Sequence, residues 1–123
     1  MVTYKIGGSE YPLALTLGAM EKIDELCGGF ENASAAFEGK SIMETVDLLI
    51  SMLYILVAGG VGYARANGER VPDVPEPALI KAQLMPKDIR TAKERVFQAM
   101  AEGMGRTVDV EPDPKNAEAT PSE

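Results

Sequence analysis

The side chains with chemical potential in this chain are few. Cys27 is the single cysteine. A nucleophilic thiol needs a neighbouring base or a positive field, and there is no histidine anywhere in the sequence. Cys27 follows Leu26 on the apolar side of a helical pattern, so a small buried hydrophobe is the expected role. Carboxylate pairs occur at Asp24/Glu25 and Glu44/Asp47, and residues three apart share a helix face. The first pair reads as the solvated side of an amphipathic helix, the second as a helix start with favourable dipole placement. Asp109, Glu111 and Asp113 alternate, but lack the glycine and terminal glutamate of a calcium loop. Gly59-Gly60-Val61-Gly62 lies inside a helical pattern with no strand before it, so it is not a dinucleotide fingerprint; close packing is the usual reason for such glycines. No catalytic constellation, cofactor site or metal site emerges, and a metal-free enzyme ranks last among the possible functions.

The elements around these residues are easier to read. The 123 residues make one domain of ordinary soluble composition, 46% hydrophobic and 25% charged. Twelve Lys+Arg stand against nineteen Asp+Glu, a net charge of −7 that argues against nucleic acid as a partner. One cysteine rules out an internal disulfide and fits a reducing compartment. The first residues do not form a signal peptide.

Val2, Tyr4 and Ile6 alternate with Thr3 and Lys5, and Gly7-Gly8-Ser9-Glu10 supplies a turn. Tyr11, Leu13, Leu15 and Leu17 then share a face, so the spacing predicts a β-hairpin with one apolar side. Pro12 belongs at an outward-facing position or at the strand start. A period change follows: Ala19/Met20, Ile23 and Leu26/Cys27 mark a short helix ended by Gly28-Gly29 and expected to cover the hairpin's apolar face. Asn32 to Glu38 reads as a brief helical turn.

Ser41-Ile42-Met43-Glu44 is a capping box. From it a helix should run to about Asn67, with Gly68 as the stop and one polar stripe through Glu44, Asp47, Ser51, Ala58 and Gly62. Leu48 to Ala64 is uncharged and near the lower length limit of a membrane span; a buried central helix shows the same run and is preferred. The segment 71–77, with three prolines, should be an extended linker inside the 1–105 domain. Pro77 and Pro86 can open two further helices, Ala78 to Leu84 and Lys87 to about Met104, with Gly105 as terminator. Residues 106–123 have two basic against five acidic residues, three prolines and no aromatic, and read as a disordered acidic tail. The fold expected is α+β: an N-terminal two-stranded hairpin followed by a small bundle of four to five helices.

Such helices carry more apolar surface than about 120 residues can cover. Met20, Met43, Met52, Met85, Met100 and Met104 are spread over them, and methionine suits surfaces that adapt to an apolar partner. A binding protein is therefore favoured, self-association included, with Met52, Ile55, Leu56, Val96, Met100 and Met104 on the expected partner-binding faces.

Tyr4-Lys5-Ile6-Gly7-Gly8-Ser9-Glu10-Tyr11-Pro12-Leu13, followed by Leu15 to Ile23 with its Gly18-Ala19 helix start, resembles the opening of tail assembly chaperones of long-tailed, siphovirus-type bacteriophages and prophages. The leucine-rich Val46 to Ala64, a Pro-containing linker, the last helix with Ala101-Glu102-Gly103-Met104 and the acidic Asp113-Pro114-Lys115-Asn116-Ala117 extend the resemblance over most of the chain. It implies a non-enzymatic protein that binds the helical tape measure protein, keeps it soluble in the host cytoplasm and is absent from the mature virion. It also implies, in many such phages, a longer frameshifted product. No residue-level site carries over. A small membrane protein using residues 48–64, and a tail tube or connector subunit, are the alternatives.

Overall fold

The computed structural model describes residues 1–106. The chain opens with an antiparallel hairpin, β1 (Thr3–Ile6) and β2 (Ser9–Pro12), in which Tyr4 pairs with Tyr11 and Ile6 with Ser9. The loop is Gly7-Gly8 alone, shorter than the four-residue turn expected. Gly7 adopts φ 64°, open to glycine for want of a Cβ, and such two-residue loops match the twist of the flanking strands. Ser9 and Glu10 are thereby drawn into β2. Pro12 sits opposite Thr3, and the next cross-strand bond runs from the Leu13 amide to the Val2 carbonyl at 2.8 Å. The position of Pro12 therefore needs no donor to β1, as its sequence context predicts.

The extended run ends sooner than the alternation predicts. Leu13 is buried and Leu15 half-buried, but Leu17 is 84% exposed. The Thr16 hydroxyl accepts a hydrogen bond from the Ala19 amide at 3.1 Å, an N-cap that starts α1 (Leu17–Cys27) at Leu17 itself. Gly28 ends α1 at φ 70°. Two short 3-10 turns, Phe30–Asn32 and Ala35–Phe37, stand where one helical turn was expected.

The helix α2 (Ile42–Ala66) has the predicted capping box. The Ser41 hydroxyl accepts from the Glu44 amide, and the Glu44 carboxylate accepts from the Ser41 amide at 2.9 Å. Its buried residues include Leu49, Ile50, Met52, Leu53, Leu56, Val57 and Val61. Glu44, Asp47, Ser51, Ala58 and Gly62 lie on the exposed to half-exposed stripe. Gly68 closes the end at φ 83°. By length and composition α2 is able to cross a membrane; in this fold its apolar side chains are the centre of the core.

The hairpin's apolar face is covered differently from the expectation. Helix α2 packs on β2 and the last helix on β1, while α1 packs on α2 and on the Phe30–Asn32 turn. The cause is the strap Pro12–Thr16, which crosses α2 before α1 begins. The Ala14 amide donates to the Leu56 carbonyl at 3.1 Å. A Cβ on Gly60 would overlap the Pro12 carbonyl, and one on Gly59 would press on the Ala14 carbonyl. On the other side, a Cβ on Gly103 would fall 2.6 Å from that of Leu15. The glycines thus permit close packing, against an extended strap rather than another helix.

Beyond α2, Arg65 anchors the linker by donating to Asp73 Oδ1 at 2.6 Å and to the Val71 carbonyl at 3.3 Å. Pro77 opens α3 (Pro77–Gln83), which buries Ile80. A 3-10 turn at Pro86–Asp88 leads into α4 (Ile89–Gly103), so the α-helix starts later than Lys87. Ala92, Val96, Ala99 and Met100 form its buried face, and Gly105 closes it at φ 80°. The fold is α+β, a hairpin followed by four helices. The expectation of a disordered acidic tail falls on residues outside the described range, Arg106 excepted.

Candidate partner-binding groove

The residues singled out for partner contact do not form a surface. Met52, Leu56 and Val96 are fully buried and Met100 is 6% exposed. Placing these four on a contact face is corrected: they are the interior where α2 meets α4. An all-apolar helix gives no sign of which flank its neighbours take, and here the hairpin, strap and α4 take the one carrying Met52 and Leu56. Ile55 is half-buried in a shallow depression between α1 and α2, beside Ala19, Tyr54 and Ala58. Met104 is 45% exposed, just past the end of α4.

The exposed apolar side chains lie elsewhere. Met43 (56%) and Met85 (60%) stand on the two walls of one groove, and Ile42 (75%) precedes Met43 in the chain. This cavity, about 190 Å³, has Leu49 and Ile50 of α2 at its base, with Met43 and Val46 on the α2 side. Leu84, Met85, Pro86 and Ile89 make the opposite wall, and Lys81 the polar edge.

Each wall is held by local chemistry. The Ser41–Glu44 box fixes the start of α2, so Ile42 and Met43 stand in a first turn with no preceding turn to cover them. A side chain there points back beyond the helix end. On the other wall the Met85 amide donates to Asp88 Oδ2 at 2.8 Å and the Asp88 amide donates to the Met85 carbonyl at 2.8 Å. These reciprocal bonds hold Met85 extended before Pro86. Lys81 Nζ meets Asp47 Oδ1 at 2.6 Å and ties α3 to α2 beside the groove.

The remaining polar groups are absorbed by structure. Asp24 accepts from the Phe30 amide at 2.7 Å, and Glu44 and Asp47 are engaged as described. The half-buried Cys27 thiol is pushed above its ordinary value by burial and then by the charge of Asp24, with Lys40 opposing. That keeps it a neutral thiol at physiological pH, a poor nucleophile. Among the described residues no group of three or more His, Cys, Asp or Glu is placed to hold a metal ion. A larger polar concavity of about 620 Å³ lies between β1 and the α3–α4 region. Two of its lining groups are held within the fold: Arg95 Nη1 donates to the Thr3 carbonyl at 2.7 Å, and the Thr3 hydroxyl donates to Glu10 at 2.8 Å.

The groove offers apolar contact with flexible, polarizable walls, which suits side chains of another apolar segment. Sequence periodicity missed it because residues from α2, from α3 and its following turn, and from the start of α4 build it together, and only the fold brings them to one place. Methionine was the available signal, since Met43 and Met85 both stand at helix starts. No protein-family model, curated protein or solved structure matches this chain.

Proposed function

We propose that this protein is a non-enzymatic chaperone for an apolar helical client, and that the client is the tape measure protein of a long-tailed bacteriophage or prophage. The observation that carries the reading is the groove between the start of α2 and the α3–α4 junction, with Met43 and Met85 more than half exposed. An amphipathic helix laid along such a groove buries its apolar stripe against adaptable side chains. The assignment of the client rests on the resemblance of residues 4–23 and of the later segments to tail assembly chaperones. It is supported by the order of elements: hairpin, short helix, long apolar helix, linker and last helix. The protein acts in the bacterial cytoplasm and leaves before the virion is complete.

The test is co-expression with the tape measure protein of a long-tailed phage. The client is expected in the soluble fraction when this chain is present and in inclusion bodies when it is absent. Purified particles should lack the chain. Client solubility independent of the chain contradicts the proposal. So does recovery of the chain in washed membranes with release by detergent alone, which favours insertion of α2 instead.

A further inference from the structure

We infer that Met43 and Met85 are a paired oxidation site, through which a peroxide weakens the grip of the groove on an apolar client. The inference rests on the groove being the client site and adds a chemical control of it. The methionines of this chain stand in three environments. Met52 is fully buried and Met100 nearly so, in the interior where α2 meets α4. Met20 is half-buried. Met1, Met43, Met85 and Met104 are 45% exposed or more, and of these Met43 and Met85 line one groove from opposite walls. An oxidant in solution reaches the last group first and the core sulfurs last.

The step is a two-electron oxidation by hydrogen peroxide. A lone pair on the thioether sulfur attacks one peroxide oxygen, the S–O bond forms, and the O–O bond breaks. The second oxygen leaves as hydroxide and takes the proton of the new S–OH group, giving the sulfoxide and water. One peroxide is reduced for each sulfur oxidised. The product is a polar group where a flexible apolar one stood, and methionine sulfoxide reductases reverse it, one enzyme for each epimer.

The effect on binding follows from what lines the groove. Water satisfies a sulfoxide oxygen while the groove is open, and an apolar side chain laid over it displaces that water. Lys81 is the only polar side chain of the lining among the described residues, and its ammonium is held by Asp47 at 2.6 Å. Val46, Leu49, Ile50 and Leu84 offer no side-chain donor. Sulfoxides on both walls are therefore covered without a side-chain partner, and an acceptor stripped of water in this way weakens the complex.

Peptide mapping by mass spectrometry and fluorescence anisotropy test this on the full chain, with hydrogen peroxide as the oxidant. The probe is a labelled amphipathic helical peptide with one leucine stripe. Met43 and Met85 should be oxidised while Met52 and Met100 remain thioethers, and the peptide should then bind on the order of tenfold more weakly. Treatment with the two reductases should restore binding. A Met43→Leu, Met85→Leu variant keeps apolar walls of similar volume. It should bind the peptide equally before and after peroxide, although Met1 and Met104 are still oxidised in it. Oxidation of Met52 as early as Met85, undiminished binding by the oxidised parent, or an equal loss in the variant overturns the inference while the groove reading stands. So does a treated parent that has lost its near-UV circular dichroism, because its loss of binding then comes from unfolding. If the untreated chain binds no peptide, the groove reading falls and the inference with it.

Discussion

The Pro12 carbonyl lies against the α-carbon of Gly60, so close that no side chain fits between strap and helix. This approach sets the hairpin on α2 and determines which flank of that helix is interior. Gly60→Ala sets a methyl group against backbone, which cannot swing aside, and should cost about 1–3 kcal/mol or more. Gly62, two residues on, faces open space, so Gly62→Ala should stabilise the helix by up to about 1 kcal/mol. Urea denaturation of the two variants should give shifts of opposite sign. Equal shifts would mean that the strap does not dock on Gly60.

The interior location of Met52 and Leu56 has a measurable consequence. Met52→Ala and Leu56→Ala should each lose about 2–5 kcal/mol of stability, as large-to-small changes in a packed core do. Met85→Ala should change stability by only about 0.5 kcal/mol, as surface substitutions do. A large loss for Met85→Ala would place it in the core and remove it from the groove wall.

Much of this fold is legible in the residues. Ser41 and Glu44 announce the start of α2, Gly68 and Gly105 mark helix ends, and the alternation of Val2, Tyr4 and Ile6 gives the hairpin's buried face. Leu17 was misread as a strand residue because alternation outweighed Thr16, whose hydroxyl is a local helix-start signal. The cover over the hairpin was not legible, since it follows from the strap's approach to Gly59 and Gly60, a contact of residues more than forty apart. The groove was hidden for a related reason: Met43 and Met85 meet only after α3 has folded back on α2, and no single helix face displays them both.

The helix cap gives a local test. Ser41→Ala removes the hydroxyl that accepts from the Glu44 amide and should cost about 1 kcal/mol. Ser41→Asp, which keeps an acceptor there, should recover most of it. Thermal melts of the pair check the point, and equal losses would show that the cap contributes nothing.

Alkaline pH should weaken the fold. The Tyr4 hydroxyl is pushed above its ordinary 10.0 by burial, reinforced by Asp88 and opposed by Arg95; the Cys27 thiol is raised from 9.0 by burial and then Asp24. In each case the unfolded chain loses its proton at lower pH than the folded one. Between the ordinary and raised values the unfolded state holds fewer protons, so stability falls as pH rises. The contribution of these two groups should be constant below about pH 8 and decline above it. Tyr4→Phe should flatten the part of the decline beyond about pH 10, and an unchanged slope in that variant contradicts the assignment.

The central claim is that the groove holds an apolar client. It is tested most directly by co-expressing a long-tailed phage tape measure protein with a Met43→Glu, Met85→Glu variant whose melting temperature matches the parent's. Both substitutions lie at exposed positions, and each sets a carboxylate where an apolar side chain of the client would rest. The parent should keep the client soluble, and the variant should let it aggregate. A variant that protects the client as well as the parent does would show that the groove is not where the client is held.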